Sequence, residues 1–273
     1  MKVYASYQDL PASTSLLDLY EQTKQSGISG FSLPLDVFRR ETAGGQDESF
    51  REAIEGLSHL ELPVLRADYD FIRSHLEDSA RIAGDLDWLA SKGLRDLVLT
   101  ITQGAHSAQI EDLEHGMAMK SLRKAVSQAE LLRIRLVLRL TVRHIADSLG
   151  SAHGILREIS NPSLQLCLDL ETLHSQNHVE PEIAVKYFGK NLRFVEMGPT
   201  HLDILTWLKA QDLEVAALVH DSEKPFPEFK KWMEETFGAE KIPAKDKREV
   251  RSKVEEKKAG AQPTGKKPES YPF

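Results

Sequence analysis

Eight short apolar runs recur along the chain at intervals of about thirty residues, each followed by a stretch with helical spacing, and this rhythm limits the chain to α/β folds. The runs are Lys2–Tyr7, Ile28–Leu33, Leu62–Ala67, Leu94–Ile101, Ile134–Leu140, Leu164–Leu168, Leu192–Val195 and Leu213–Val219. An open doubly wound sheet produces the same alternation, but with fewer strands as a rule. A dinucleotide-binding sheet would also want a Gly-x-Gly-x-x-Gly turn after the first run, and none is present. Eight units close a cylinder, so the expected fold is a (β/α)8 TIM barrel. Such a barrel takes about 250 residues, which assigns residues 1–238 to one domain and leaves 239–273 as a flexible charged tail.

The stretches between the runs carry helix grammar. Ser13–Ser15 offer N-caps to a helix through Leu16, Leu17 and Tyr20 that stops at Gly27. After Pro34 a long loop with Gly44 and Gly45 is expected, then a helix from Ser49 to Ser58. Ser74 with Glu77 forms a capping box, Leu76, Ala80, Ala83, Leu86 and Ala90 share one face, and Gly93 ends that helix. Leu122, Ala125, Val126, Ala129 and Leu132 make the next, and further helices are read near 181–188, 201–211 and 226–237. Trp88, Trp207, Trp232, Met117 and Met119 fall in these helices and are expected to pack between helices and barrel.

Charge narrows the function classes. The formal net charge is -7, but residues 240–273 hold ten Lys or Arg against six Asp or Glu, which leaves -11 on the body and +4 on the tail. A body this acidic disfavours nucleic acid as a partner. No run approaches the roughly 18 apolar residues of a membrane span. No charged leader followed by an apolar stretch opens the chain, and the lone Cys167 lies inside a strand, so a cytoplasmic protein with a buried, inert thiol is expected.

Parallel barrel strands point their carboxyl ends at one face, where the chemistry of the fold resides. The polar residues at or just past the runs are Asp68 and Asp70, His106, Arg139, Asp169, Glu171 and His174, Glu196, and His220 with Asp221. Asp169, Glu196 and His220 end the sixth, seventh and eighth runs. Adjacent barrel strands lie about 5 Å apart, so these three can share a ligand. The loop from Leu35 to Glu48 brings Phe38, Arg39 and Arg40, and Arg39 is read as a group that grips a carboxylate or phosphate when the loop closes.

Four segments together resemble the xylose isomerase-like barrels: Gly27-Ile28-Ser29-Gly30-Phe31; Lys92-Gly93-Leu94-Arg95-Asp96-Leu97-Val98; the helix from Leu122 through Ala129-Glu130 into Ile134-Arg135-Leu136-Val137-Leu138; and Leu166-Cys167-Leu168-Asp169. That superfamily includes sugar and sugar phosphate isomerases and epimerases and the endonuclease-IV-type nucleases. The resemblance implies a carbohydrate-type small ligand, a divalent metal that polarises a substrate carbonyl and hydroxyl, and outer helices that offer a homodimer contact. Its metal ligands are a Glu, an Asp, a His and a Glu ending strands five to eight. Asp169 matches the Asp. Arg139 stands in place of the first Glu, Glu196 near the His and His220 near the last Glu, while Thr172 interrupts the usual Asp-x-x-His, with His174 two places on.

Two readings follow. In the first, Asp169, Glu196 and His220 rebuild a divalent metal site in a sugar isomerase or epimerase, with Asp169, Glu196 and His220 as its catalytic groups and Arg139, Asp68, His106, His174 and Arg39 binding substrate. In the second, Arg139 replaces the metal by pairing with Asp169 and Glu196, and the barrel is a metal-free ligand-binding or interaction protein. Nuclease chemistry would need a basic groove, which the acidic body does not supply.

Overall fold

The computed structural model describes residues 2–7, 16, 18–19, 23, 28–42, 63–71, 75–101, 108–141, 145–177, 179–198, 202–211 and 215–220. The expected helices at 49–58 and 226–237, Ser74, the Gly44-Gly45 segment, His106, Asp221, Trp232 and the tail from 239 lie outside these residues.

Eight parallel strands form a closed barrel in chain order. They are β1 (Lys2–Ser6), β2 (Gly30–Pro34), β3 (Val64–Tyr69), β4 (Asp96–Ile101), β5 (Arg135–Leu140), β6 (Leu164–Asp169), β7 (Leu192–Met197) and β8 (Ala216–His220). Closure is made by β1 and β8, paired from Lys2 opposite Ala216 to Ser6 opposite His220. The described helices are α1 (Leu35–Thr42), α2 (His75–Ser91), α3 (Ala108–Leu132), α4 (Leu149–Ile159), α5 (Leu170–Asn177), α6 (Pro181–Phe188) and α7 (Leu202–Ala210).

Alternation along each strand divides the core in two. Side chains on the outer face, such as Leu65, Leu97, Leu99, Leu136, Leu138, Leu166, Leu168 and Val195, pack with the helices. Those on the inner face stack inside the cylinder: Tyr4, Val64, Val98, Val137, Cys167, Phe194, Ala216 and Leu218. Tyr4 and Phe194 meet edge to face with centroids 6.0 Å apart. Below this apolar layer Arg135 grips Asp96 with two bonds of 2.7 Å, and Arg193 reaches the same carboxylate at 3.3 Å. Above it the inner positions turn polar, and that upper layer is the candidate site.

Three expectations need correction. Leu35–Thr42 is helix α1 rather than the start of a loop, because Leu35, Val37 and Phe38 bury one face against the barrel. Helix α3 begins at Ala108, well before the periodic stretch from Leu122. Helices α4 and α5 were not read from the sequence at all. The first is capped by an unorthodox box in which Ser151 replaces the usual Glu or Gln: the Ser151 N–H donates to Ser148 Oγ at 3.2 Å and the Ser148 N–H to Ser151 Oγ at 3.0 Å. Gly93, read as a helix stop, has φ of +73°, and the amide after it returns to the carbonyl of Leu89.

Candidate active site

Strand register gathers the polar ends of β3, β5, β6 and β7. Asp169 and Glu196 are directly opposite each other on β6 and β7. Arg139 lies beside Cys167, one layer below Asp169 on β6, and its long side chain rises between the two carboxylates. Its Nη2 is 2.9 Å from Asp169 Oδ2 and its Nε is 2.6 Å from Glu196 Oε2. The Nε contact is short but not aligned as a hydrogen bond, so charge attraction holds it.

Glu196 is wholly buried, and its other oxygen lies 3.8 Å from Nη1 of Arg66 on β3. Arg66 in turn donates through Nη2 to the carbonyl of Tyr7 just past β1. Asp169 caps α5: the Thr172 N–H donates to Oδ1 at 3.2 Å and the Thr172 hydroxyl to Oδ2 at 3.1 Å. Thr141 also reaches Oδ2, at 3.4 Å. The Thr172 that interrupts the expected Asp-x-x-His thus serves to seat Asp169.

The electrostatics follow from burial. Desolvation pulls the Arg66 guanidinium below the usual arginine range, only partly opposed by Glu196 and reinforced by the like charge of Arg139. For Arg139 burial is again the largest influence and acts downward, but Glu196 and Asp169 together outweigh it and hold the group above its usual value. Two cations and two anions compensate one another in this cluster. Asp68 adds an exposed carboxylate at the rim. With Arg66, Thr100, Arg139 and Pro34 it lines a cavity of about 80 Å³. The hydroxyls of Ser6, Ser32 and Thr100 on the neighbouring strands are buried and, among the described residues, have no hydrogen-bond partner.

These residues do not suit a dication. A guanidinium already occupies the space between the two carboxylates, and like charges about 4 Å apart repel by about 4 kcal/mol at an effective dielectric near 20. Among the described residues no group of three His, Cys, Asp or Glu side chains is arranged to hold a metal.

Other expected site residues are placed elsewhere. Arg39 lies on α1, with Nη1 2.5 Å from Asp85 Oδ1 and its guanidinium 4.7 Å above the Trp88 ring. Asp85, buried on α2, also accepts the Tyr69 hydroxyl at 2.7 Å. Arg39 therefore ties α1 to α2. His174 and Glu171 lie exposed on α5. His220 ends β8 in register with Ser6, two residues beyond the level of Glu196, which pairs with Leu218. Arg66, Thr100, Thr141 and the Ser6 and Ser32 hydroxyls were missed. Arg66 carried a signal: it is the one charged residue in the run Leu62–Ala67 and shares strand parity with Asp68.

No family model matches the sequence, and no curated protein matches it. Solved structures do. The apo 3-keto-D-glucoside 4-epimerase YcjR of E. coli superposes with a TM-score of 0.68 at 17% identity, over 87% of this chain and 97% of that one. A D-psicose 3-epimerase crystallised in the presence of D-fructose gives 0.65 at 12%, over 83% and 86%. The IolI protein with a bound zinc atom gives 0.65 at 15%, over 85% and 91%. The fold is a (β/α)8 barrel like that of these three proteins. Two of these neighbours are sugar epimerases, and the likeness of backbone to them extends over most of the chain. At such identities the likeness carries the backbone alone, and the chemistry has to be read from this chain's own side chains.

Proposed function

We propose that this barrel binds a small, polar, carbohydrate-type ligand at the carboxyl ends of its strands and does so without a metal. The observation that carries the reading is Arg139, whose guanidinium lies between Asp169 and Glu196 where a dication would need both carboxylates. A fixed cation in that place orients the acidic groups while leaving none of them open for metal ligation. Glu196 is also unsuited to move a proton: it is buried, faces two guanidinium groups, and lies behind the cavity rather than in its wall. The groups left to meet a ligand are the Asp68 carboxylate, the Thr100 hydroxyl and the outer edges of Arg66 and Arg139. A polyol would satisfy them with hydroxyls that both donate and accept.

Metal analysis of the full chain, purified without chelators, tests the reading together with ligand-observed NMR. The expected result is no stoichiometric divalent ion, and saturation transfer from protein to D-fructose or D-allulose that weakens in Asp68→Ala. A stoichiometric metal lost on Asp169→Asn would overturn it.

A further inference from the structure

A second hollow opens at the opposite, amino-terminal end of the barrel. Its volume is about 520 Å³, against 80 Å³ at the mouth, and it lies between α4, the turn into β6 and the 3-10 turn Gly189–Asn191 ahead of β7. That size falls within the range of about 300–1,000 Å³ typical of small-molecule sites.

The lining is basic. His153 and Arg157 come from α4 and Lys190 from the turn before β7, and no Asp or Glu is among the residues that form the walls. Neither Arg157 nor Lys190 has an ion-pair partner among the described residues. Two carboxylates beside these elements are engaged elsewhere, Glu158 by Arg123 and Glu130 by the Asn161 amide at 2.8 Å. On a body of formal charge -11 this is an island of positive charge. Its floor holds Gln165, two places before Cys167 on β6 and so on the inner side of the strand, with an Oε1 that is buried and has no hydrogen-bond partner among the described residues. At the rim the His153 ring lies 5.5 Å from that of Tyr187, an exposed aromatic on α6.

A basic residue in the last turn of a helix complements its dipole, and that alone would account for Arg157. It does not account for Lys190, which belongs to a different element, nor for the Gln165 carbonyl oxygen, which has no donor among the described residues. We propose that this hollow is a binding site for a phosphate monoester of a sugar or other polyol. Arg157 and Lys190 would meet the phosphate dianion from two sides, His153 would flank it, and the Gln165 side-chain amide would turn to meet a ligand hydroxyl. The site is independent of the mouth and stands or falls separately from the metal-free reading.

Isothermal titration calorimetry of the full chain with ribose 5-phosphate, inorganic phosphate and ribose tests the proposal. Ribose 5-phosphate is expected to bind with a Kd of about 1 mM or tighter, inorganic phosphate about ten-fold more weakly, and ribose not measurably. Arg157→Ala combined with Lys190→Ala should weaken ribose 5-phosphate about ten-fold while the circular dichroism melt stays unchanged, since both side chains are exposed. Gln165→Leu should keep phosphate binding and abolish the advantage of ribose 5-phosphate over it. Absence of ribose 5-phosphate binding at millimolar concentration, or an affinity unchanged in the double variant, would overturn the assignment. So would loss of binding in Thr100→Val, which would move the ligand to the mouth.

Discussion

Replacing Arg139 with methionine, which keeps the aliphatic reach but removes the charge, should destabilise the barrel more than most single substitutions. The side chains of Asp169 and Glu196 are 8% and 0% exposed, so both carboxylates would lose their shared cation in a place that water barely enters. Each pair contributes a gross attraction of about 4 kcal/mol at about 4 Å and an effective dielectric near 20, or about 8 kcal/mol for the two. Much of that is offset by the desolvation of the charges, and removing one partner from a buried pair costs a net 3–5 kcal/mol or so. Arg66 stays 3.8 Å from Glu196, and Asp169 keeps the Thr172 amide and two threonine hydroxyls, which favours the lower end, about 3 kcal/mol. For a chain of this size that corresponds to a fall in Tm of about 6–12 °C. Urea unfolding and thermal circular dichroism would measure it. The informative comparison is the double variant Arg139→Met, Asp169→Asn, which leaves Glu196 facing Arg66 and orphans no charge. It should recover to within about 1 kcal/mol of the parent, because the carboxylate left without a cation is neutral and the remaining pair is kept. Should Arg139→Met unfold like the parent, or the double variant be no more stable than the single one, Arg139 would not be the counter-charge of this centre.

Three further outcomes are expected. Cys167 is wholly buried, and burial drives its thiol well above the usual cysteine value, so a thiol-specific disulfide reagent at pH 8 should leave the folded protein untouched and react fully in urea. Burial first, and the Asp85 carboxylate second, raise the Tyr69 phenol, so the folded chain keeps a proton that the unfolded chain loses above about pH 10. The stability Tyr69 supplies is complete below that pH and lost as pH rises toward the folded value. Tyr69→Phe should cost about 1 kcal/mol at pH 8 and flatten the alkaline decline, as read by urea midpoints from pH 8 to 11. Arg39→Ala should lower stability by about 1–2 kcal/mol through its lost packing on Trp88 and its bond to Asp85, with no change in ligand affinity at the mouth. A weakened affinity at unchanged stability would return Arg39 to the site.

Much of the fold was legible because a barrel repeats one local grammar eight times. All eight strands fall within or overlap the apolar runs, and the two-residue period of a strand puts Arg139, Asp169 and Glu196 on the inner face once the strands are parallel. The helices that escaped notice, α4 and α5, open on ordinary caps, Ser148 and Asp169, but without the signals that usually mark a start. In α4 Ser151 stands where Glu or Gln completes the box, and α5 begins directly at the end of β6 with no turn between.

Sequence alone determined which residues point inward and at which end of the cylinder they gather, since both follow from alternation and parallel direction. Only the tertiary structure decided what those residues do to one another. Register set Asp169 beside Glu196 and left His220 a layer above, and the closed barrel brought Arg66 from β3 across to a carboxylate on β7. The reach of a long side chain then placed Arg139 between two acids thirty and fifty-seven positions away in the chain. Charge pairing depends on distances of a few ångströms in a medium that excludes water, and linear spacing does not encode those distances.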